Sequence, residues 1–478
     1  MEAAGEGGGL RKSSTGIEVI AGITVFFACA YIVFFAPATL SAIGFDYGAV
    51  VTATCLACVA GCLAVAAVPR LPNVLAPATA IIYLSVDAVR AKFGAEVPAA
   101  EAVAGVLAAS LGAGLCVFVV SILPSARHGS QRVALLELVP PPLQAAVVSG
   151  IGGLLAGSAM RSVGGGRTAA VPDGSRLDAI VFVVGVALII LIELSFKRAA
   201  HKVRRESPAQ GRKAALLELG SSSAILVSIL FMIAASPLLQ DFQAVPAFAI
   251  GVASGLDDVG ALWDLREDGW VLGLGLAMLF TLLIDFVGSP YDFRQLAESE
   301  AARPSEAQVR SGYWTDAAMM VAMPFIGLTP SVYFGENHAG RLAGGRTWRV
   351  ALVAGGLFAG LGVLIVVSSL LGWRINAFIS PFVLAPAIFW IGIKIIGERM
   401  IVSYDEESIR LSPKNVTIPA AISSVVGAVY SFPAAIFLGF SVYLVLVCLD
   451  SRSEGLSLKE WPVFALTVLA GVTAALSG

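Results

Sequence analysis

Residues 327–340 read GLTPSVYFGENHAG, and residues 71–82 read LPNVLAPATAII. Both stretches are apolar enough for membrane depth, yet both carry proline, and the first also holds Gly327, Gly335 and Gly340. A spanning helix needs about 20 mainly apolar residues, so neither stretch crosses a bilayer as helix alone. Non-helical backbone at that depth is tolerated only where protein buries it or a cavity faces it. Short, Gly/Pro-broken segments at matching positions in two halves of a chain point to a binding site between discontinuous helices. Around Glu336 the residues favour an extended stretch that leads into a half-helix. The first amides and positive dipole end of such a helix favour an acceptor or an anion.

Outward from these segments the chain is apolar almost throughout. Of 478 residues, 57% are hydrophobic and 13% charged, with mean hydropathy +0.86; soluble chains carry about 25% charged residues. The 50 Gly and 23 Pro are scattered through long apolar runs, where spanning helices tolerate them. The composition excludes a soluble enzyme, a disordered scaffold and a nucleic-acid binder; a formal net charge of −2 gives no footprint for nucleic acid. The class is an all-α polytopic membrane protein. The six cysteines, Cys29, Cys55, Cys58, Cys62, Cys116 and Cys448, lie in apolar segments, where a thiol packs as a small hydrophobe. Cys55-x-x-Cys58 has no second pair, so packing is the expected role. No metal site and no cofactor are expected.

Candidate spans cover 18–42, 49–68, 77–89, 101–123, 143–160, 177–196 and 220–238, then 270–288, 311–327, 329–341, 349–371, 380–397, 417–431 and 433–449. A stretch at 461–476 is interfacial or a final span. The expected divisions are a cytoplasmic tail at 1–17, held by Arg11 and Lys12, a first repeat at 18–240, an acidic external loop at 241–268, a second repeat at 269–449 and a C-terminal segment at 450–478. The basic loop 197–213 is placed in the cytoplasm, and the mixed-charge segment 291–310 beside it. No removed signal peptide is expected. An odd number of spans per half would make the halves inverted copies.

An ionisable residue inside hydrocarbon is costly and is a functional candidate by default. Glu193 stands one turn before Lys197, and an i,i+4 pair explains it. Asp285, deep in LAMLFTLLIDFVGSP, has no basic neighbour in its own segment, and a structural and a functional role are equally supported. Glu336 is favoured as functional: a carboxylate there accepts paired N–H donors from a planar heterocycle, and burial would let it carry a proton. His338 is a further titratable group. Asp316 is read as a bridge between helices ahead of a substrate contact.

At these residues the sequence resembles the nucleobase–cation symporter-2 superfamily, closest to its AzgA-like hypoxanthine–adenine–guanine permease branch. The likeness runs from Glu18 to about Tyr443. It is carried by EVIAGITVFFACAYIVFFAPATLSAIGFDYGAVVTAT at 18–54, LAPATAIIY at 75–83, PPPLQAAVVSGIGG at 140–153, GLTPSVYFGENHAGRLAGGRT at 327–347, VLAPAIFWIG at 383–392, and IPAAISSVV with YSFPAAIFLGF at 418–440.

The resemblance implies about fourteen transmembrane helices in two inverted seven-helix repeats, a core and a gate domain, and short strands in the third and tenth segments with the substrate between them. It also implies a multi-pass protein of the plasma or inner membrane, usually a homodimer, whose core moves against the gate, elevator-like, with transport coupled to protons. By position Glu336 matches the acid that binds the base, and Asp285 the second acid of an Asp-x-x-Asp motif. The sequence departs from the family at Leu282, in place of the first acid, and at Ile82, in place of an asparagine. Ala78 and Ala80 replace glycines, and Ala36 an asparagine. The expected substrate-binding set is Glu336, Asp285, Thr329, Tyr333, Ala78, Thr79, Ile82 and Leu282, with Glu336, Asp285 and His338 coupling protons. Asn337, His338, Thr329 and Tyr333 are candidates to replace the missing polar contacts. The leading expectation is an importer of a purine-type base. The alternatives are an anion carrier on the same fold, which a buried Glu336 opposes, and a permease-like sensor that does not transport. An enzyme is the weakest reading, because the three histidines, His128, His201 and His338, stand at unrelated places and no nucleophile–base pair is present.

Overall fold

The computed structural model describes residues 15–94, 96–122, 141–163, 176–206, 211–235, 269–297, 304–371, 381–400, 417–429, 432–449, 467, 468 and 471. In chain order these form α1 (Thr15–Cys29), α2 (Ile32–Leu40), α3 (Tyr47–Ala67), β1 (Leu75–Pro77), α4 (Thr79–Phe93), α5 (Ala99–Ile122), α6 (Pro141–Val163), α7 (Arg176–Glu206), α8 (Gly211–Ser222) and α9 (Ala224–Ala235). The second half contributes α10 (Gly269–Ala297), α11 (Glu306–Ala322), β2 (Ser331–Tyr333), α12 (Asn337–Leu342), α13 (Arg349–Leu370), α14 (Pro381–Met400), α15 (Ile418–Val429) and α16 (Phe432–Leu449). Among the described residues, six spans are long and apolar enough to cross a membrane.

Both broken segments form as the sequence predicts: three residues of strand, then a half-helix. β1 and β2 pair antiparallel, with Leu75 opposite Tyr333, Ala76 opposite Val332 and Pro77 opposite Ser331. Each segment is entered through a residue with positive φ, Arg70 at 56° and Gly327 at 78°, and then a buried leucine, Leu71 and Leu328. Glycine adopts that conformation freely, whereas a side chain there costs roughly 1–2 kcal/mol. Beyond the strand ends the Ala78 amide donates to Pro330 O (2.9 Å) and the Phe334 amide to Val74 O (3.3 Å). Asn337 extends the ladder: its Oδ1 accepts from the Val74 amide at 2.8 Å and its Nδ2 donates to Val74 O at 3.1 Å. Water cannot satisfy backbone polar groups in the hydrocarbon region, and these bonds do so instead.

Taking α1 with α2, β1 with α4, α8 with α9 and β2 with α12 as single segments, the described residues hold seven segments in each half. Their packing repeats when the halves are exchanged. α5 packs on α10 as α13 packs on α1; α13 lies on α3 as α11 lies on α5; α7 packs on α8 as α15 packs on α16; and α6 packs on its own counterpart, α14. Two helix groups result, α1–α5 with α10–α13 around the strands, and α6–α9 with α14–α16. They meet where α1 and α12 touch α8, α2 touches α14, and α4 and α10 touch α6.

Some expected boundaries move. The first span breaks at Ala30–Tyr31, where Val33 and Phe34 donate to the carbonyls three residues back; Pro37 inside α2 has no amide to give Val33 O. The expected loop 197–213 is mostly helix, because α7 runs on to Glu206 and α8 begins at Gly211; charged residues in sequence favour water without ending a helix. The same holds at 291–297, which continues α10. The expected acidic loop 241–268 and Arg11 and Lys12 of the tail lie outside the described residues, as does most of 461–476, in which Thr467 and Val468 are helical.

Candidate functional site

The paired strands lead directly into the N-termini of α4 and α12 within the first helix group. Ala78 is the N-cap of α4 and Glu336 that of α12, and neither makes a side-chain capping bond. The first amides of α4, at Thr79, Ala80 and Ile81, have no intrahelical acceptor by helix geometry.

Glu336 is partly exposed. Its Oε1 accepts a hydrogen bond from the Tyr31 hydroxyl at 3.1 Å. Tyr31 is 3% exposed and sits in the break between α1 and α2. The Thr79 side chain lies against the same hydroxyl. The Tyr31 ring packs tilted on Phe35 and Phe334, with centroids 6.4 and 6.3 Å away. Residues from α1–α2, α4 and β2–α12 therefore converge on the Tyr31 hydroxyl.

The other expected residues divide. Thr79 joins the Tyr31–Glu336 group. Thr329 is fully buried and its Oγ1, like Ser331 Oγ, has no hydrogen-bond partner among the described residues, so it keeps capacity for a polar partner. Tyr333 donates its hydroxyl to Gly312 O at 3.0 Å and so braces β2 against α11. Asn337, a candidate for compensating the lost polar contacts, spends both ends of its amide on Val74. Ala78, Ile82 and Leu282 are buried, with 1%, 0% and 0% exposure. Asp285 lies in α10 and His338 in α12; the places of their side chains fall outside the described residues. Asp316 is fully buried in α11.

Glu193 forms the expected pair with Lys197, at 2.5 Å, and also meets Lys394 at 3.3 Å and accepts from Trp390 Nε1 at 2.7 Å. It thereby ties α7 to α14 and has a structural role. Cys55 and Cys62 of α3 pack on Gly362 and Gly355 of α13. No group of three metal-ligating side chains occurs among the described residues.

Sequence reasoning missed Tyr31 and Glu18. The signal for Tyr31 was a lone hydroxyl-bearing aromatic within the apolar run 19–45. Glu18, fully buried, accepts the backbone amides of Arg346 (3.2 and 3.3 Å) and Thr347 (3.2 Å). That contact accounts for the Gly344-Gly345-Arg346-Thr347 turn, in which Gly344 has φ 101°. Burial holds the Arg346 guanidinium below its ordinary range, while Glu18 beside it works in the opposite direction.

Fourteen segments with exchanged packing among the described residues, and two half-helices starting from one strand pair, define an inverted-repeat membrane fold. The sequence profile of the permease family matches residues 16–208. The adenine permease AdeQ of Escherichia coli is 25% identical over 464 residues, covering 95% of this chain and 92% of that protein. The guanine/hypoxanthine permease PbuO of Bacillus subtilis is 25% identical, covering 73% of this chain and 76% of that one. Among solved structures, the transmembrane domain of a cyanobacterial bicarbonate transporter, BicA, superposes with TM-score 0.51 at 15% identity, over 88% of this chain and 96% of that one. The chain is thus similar to nucleobase permeases, in keeping with the superfamily, and its AzgA-like branch, that its motifs resemble.

Proposed function

We propose that the protein imports a purine-type nucleobase, or a related planar heterocycle, across the cell membrane in symport with protons. One observation carries this reading: Glu336, partly exposed at the start of α12, accepts from the Tyr31 hydroxyl, which Thr79 at the start of α4 also meets. An acidic acceptor beside a row of backbone donors matches a ring that carries both N–H groups and a carbonyl or ring nitrogen. Glu336 holds the ring N–H groups, the backbone of 77–80 and 329–331 completes the pocket, and Asp285 and His338 are the further candidates for the proton path. The names of the relatives support a nucleobase as substrate. A carboxylate in the pocket repels an anion, which disfavours an anion carrier.

The test is uptake of radiolabelled adenine, guanine and hypoxanthine in a host lacking its own base permeases, with and without a protonophore. Saturable uptake of at least one base, abolished by the protonophore, is the expected result. Binding of a base without uptake would favour a sensor, and no effect of the protonophore would remove the proton.

The two helix groups support an elevator-like movement of the strand-bearing group against the other. Arg204 of α7 bridges them: it pairs with Glu218 of α8 at 3.2 Å and donates to the carbonyl of Leu342 at the end of α12. Such a contact has to break whenever the groups slide. Arg204→Gln should raise hydrogen–deuterium exchange at the α12–α13 junction several-fold and leave base affinity within about twofold, since exposed charges contribute little to stability. An exchange pattern that neither the substitution nor added base alters would count against sliding at this contact.

A further inference from the structure

We propose that Tyr31 is a positioning residue for Glu336, delivered by the break in the first span; this rests on the reading of Glu336 as the base-binding acid. A carboxylate on a flexible side chain offers a ring paired acceptors only while its rotamer is held, and ordering it on binding costs affinity. Glu336 makes no side-chain capping bond to α12. Tyr31 holds it from a different segment. Its hydroxyl reaches Oε1 at 3.1 Å, its ring packs against Phe35 and Phe334, and Thr79 at the start of α4 lies against that hydroxyl. The hydroxyl thus links the two half-helices on either side of the pocket.

A continuous helix through Ala30–Tyr31 would turn the following residues by a different angle. In the observed chain the Ala30 amide still donates to Phe26 O at 2.7 Å, while Phe34 and Phe35 both donate to Tyr31 O, at 3.1 and 2.8 Å. Tyr31 therefore anchors the start of α2 through its backbone and the carboxylate through its side chain.

Tyr31→Phe keeps the ring and deletes the bond. Loss of a hydrogen bond to a charged group should raise the half-saturation concentration for the transported purine about tenfold, with maximal rate and membrane level within about twofold. A second readout needs no transport. In infrared difference spectra of the purified protein between acid and neutral pH, the carboxyl band that Glu336→Gln removes should move to higher frequency in Tyr31→Phe. An unchanged half-saturation concentration, a loss confined to maximal rate or protein level, or an unmoved band would each overturn the role of Tyr31. Normal uptake by Glu336→Gln would instead overturn the reading of Glu336 itself, whatever Tyr31→Phe does, so the two failures are distinguishable.

Discussion

Glu336→Gln abolishes measurable base binding while the protein still reaches the membrane: this is the largest functional effect expected. The amide matches the carboxylate in size but carries no charge, and one of its two acceptor positions becomes a donor that faces the donors of the ring. Each hydrogen bond to a charged group contributes about 1.5–3 kcal/mol, so spoiling two of them weakens binding by at least a hundredfold. The change should not disturb the fold, because Glu336 is partly exposed and does not cap α12. Equilibrium binding of labelled purine to purified protein, with thermal stability measured on the same sample, separates the two effects. Binding within threefold of the parent would remove Glu336 from the site.

The largest stability effect is expected far from the pocket. α6 presents Gly153 and Gly157 to α15, and Gly427 of α15 faces Gly150 in return. A Cβ on Gly153 would stand 2.8 Å from the Ser424 carbonyl carbon and closer still to its oxygen. Backbone cannot rotate out of the way as a side chain can, so the helices would have to part. Close approach through small residues is how helices associate where no hydrophobic driving force exists between them, and overpacking costs about 1–3 kcal/mol even where side chains can adjust. Gly153→Val should therefore leave little monodisperse protein after detergent extraction. Gly356→Ala, where nothing lies within 4 Å of the added carbon, should extract and melt like the parent. Equal behaviour of the two variants would refute this account of the α6–α15 contact.

Much of this architecture was legible in the sequence because membrane burial writes itself locally. A run of apolar residues marks a span, and Gly and Pro at 71–82 and 327–340 mark the two places where a span cannot be helix. Glu336 stood out because charge in such a segment is costly. What was not legible depends on contacts between remote positions. Tyr31 and Glu336 are 305 positions apart, Glu18 and Arg346 are 328 apart, and no periodicity links them. Asn337 was read as a group for the substrate, and only the strand register shows that Val74 uses both ends of its amide. The charges of 197–206 suggested a loop, but helix α7 carries them past the apolar stretch. The departures Ile82 and Leu282 were visible as letters; their full burial came only with the fold.

The seam between β1 and β2 limits how the molecule can move. One strand comes from each repeat, and the ladder, the Ala78–Pro330 and Phe334–Val74 bonds and the Asn337 clamp stitch them together. A clamshell hinged between the repeats would tear these stitches where no water waits to replace them, at about 1–3 kcal/mol for every orphaned group. If the protein transports as proposed, any movement of the pocket between the two sides of the membrane has to carry the seam intact, as a single piece of cargo-bearing floor.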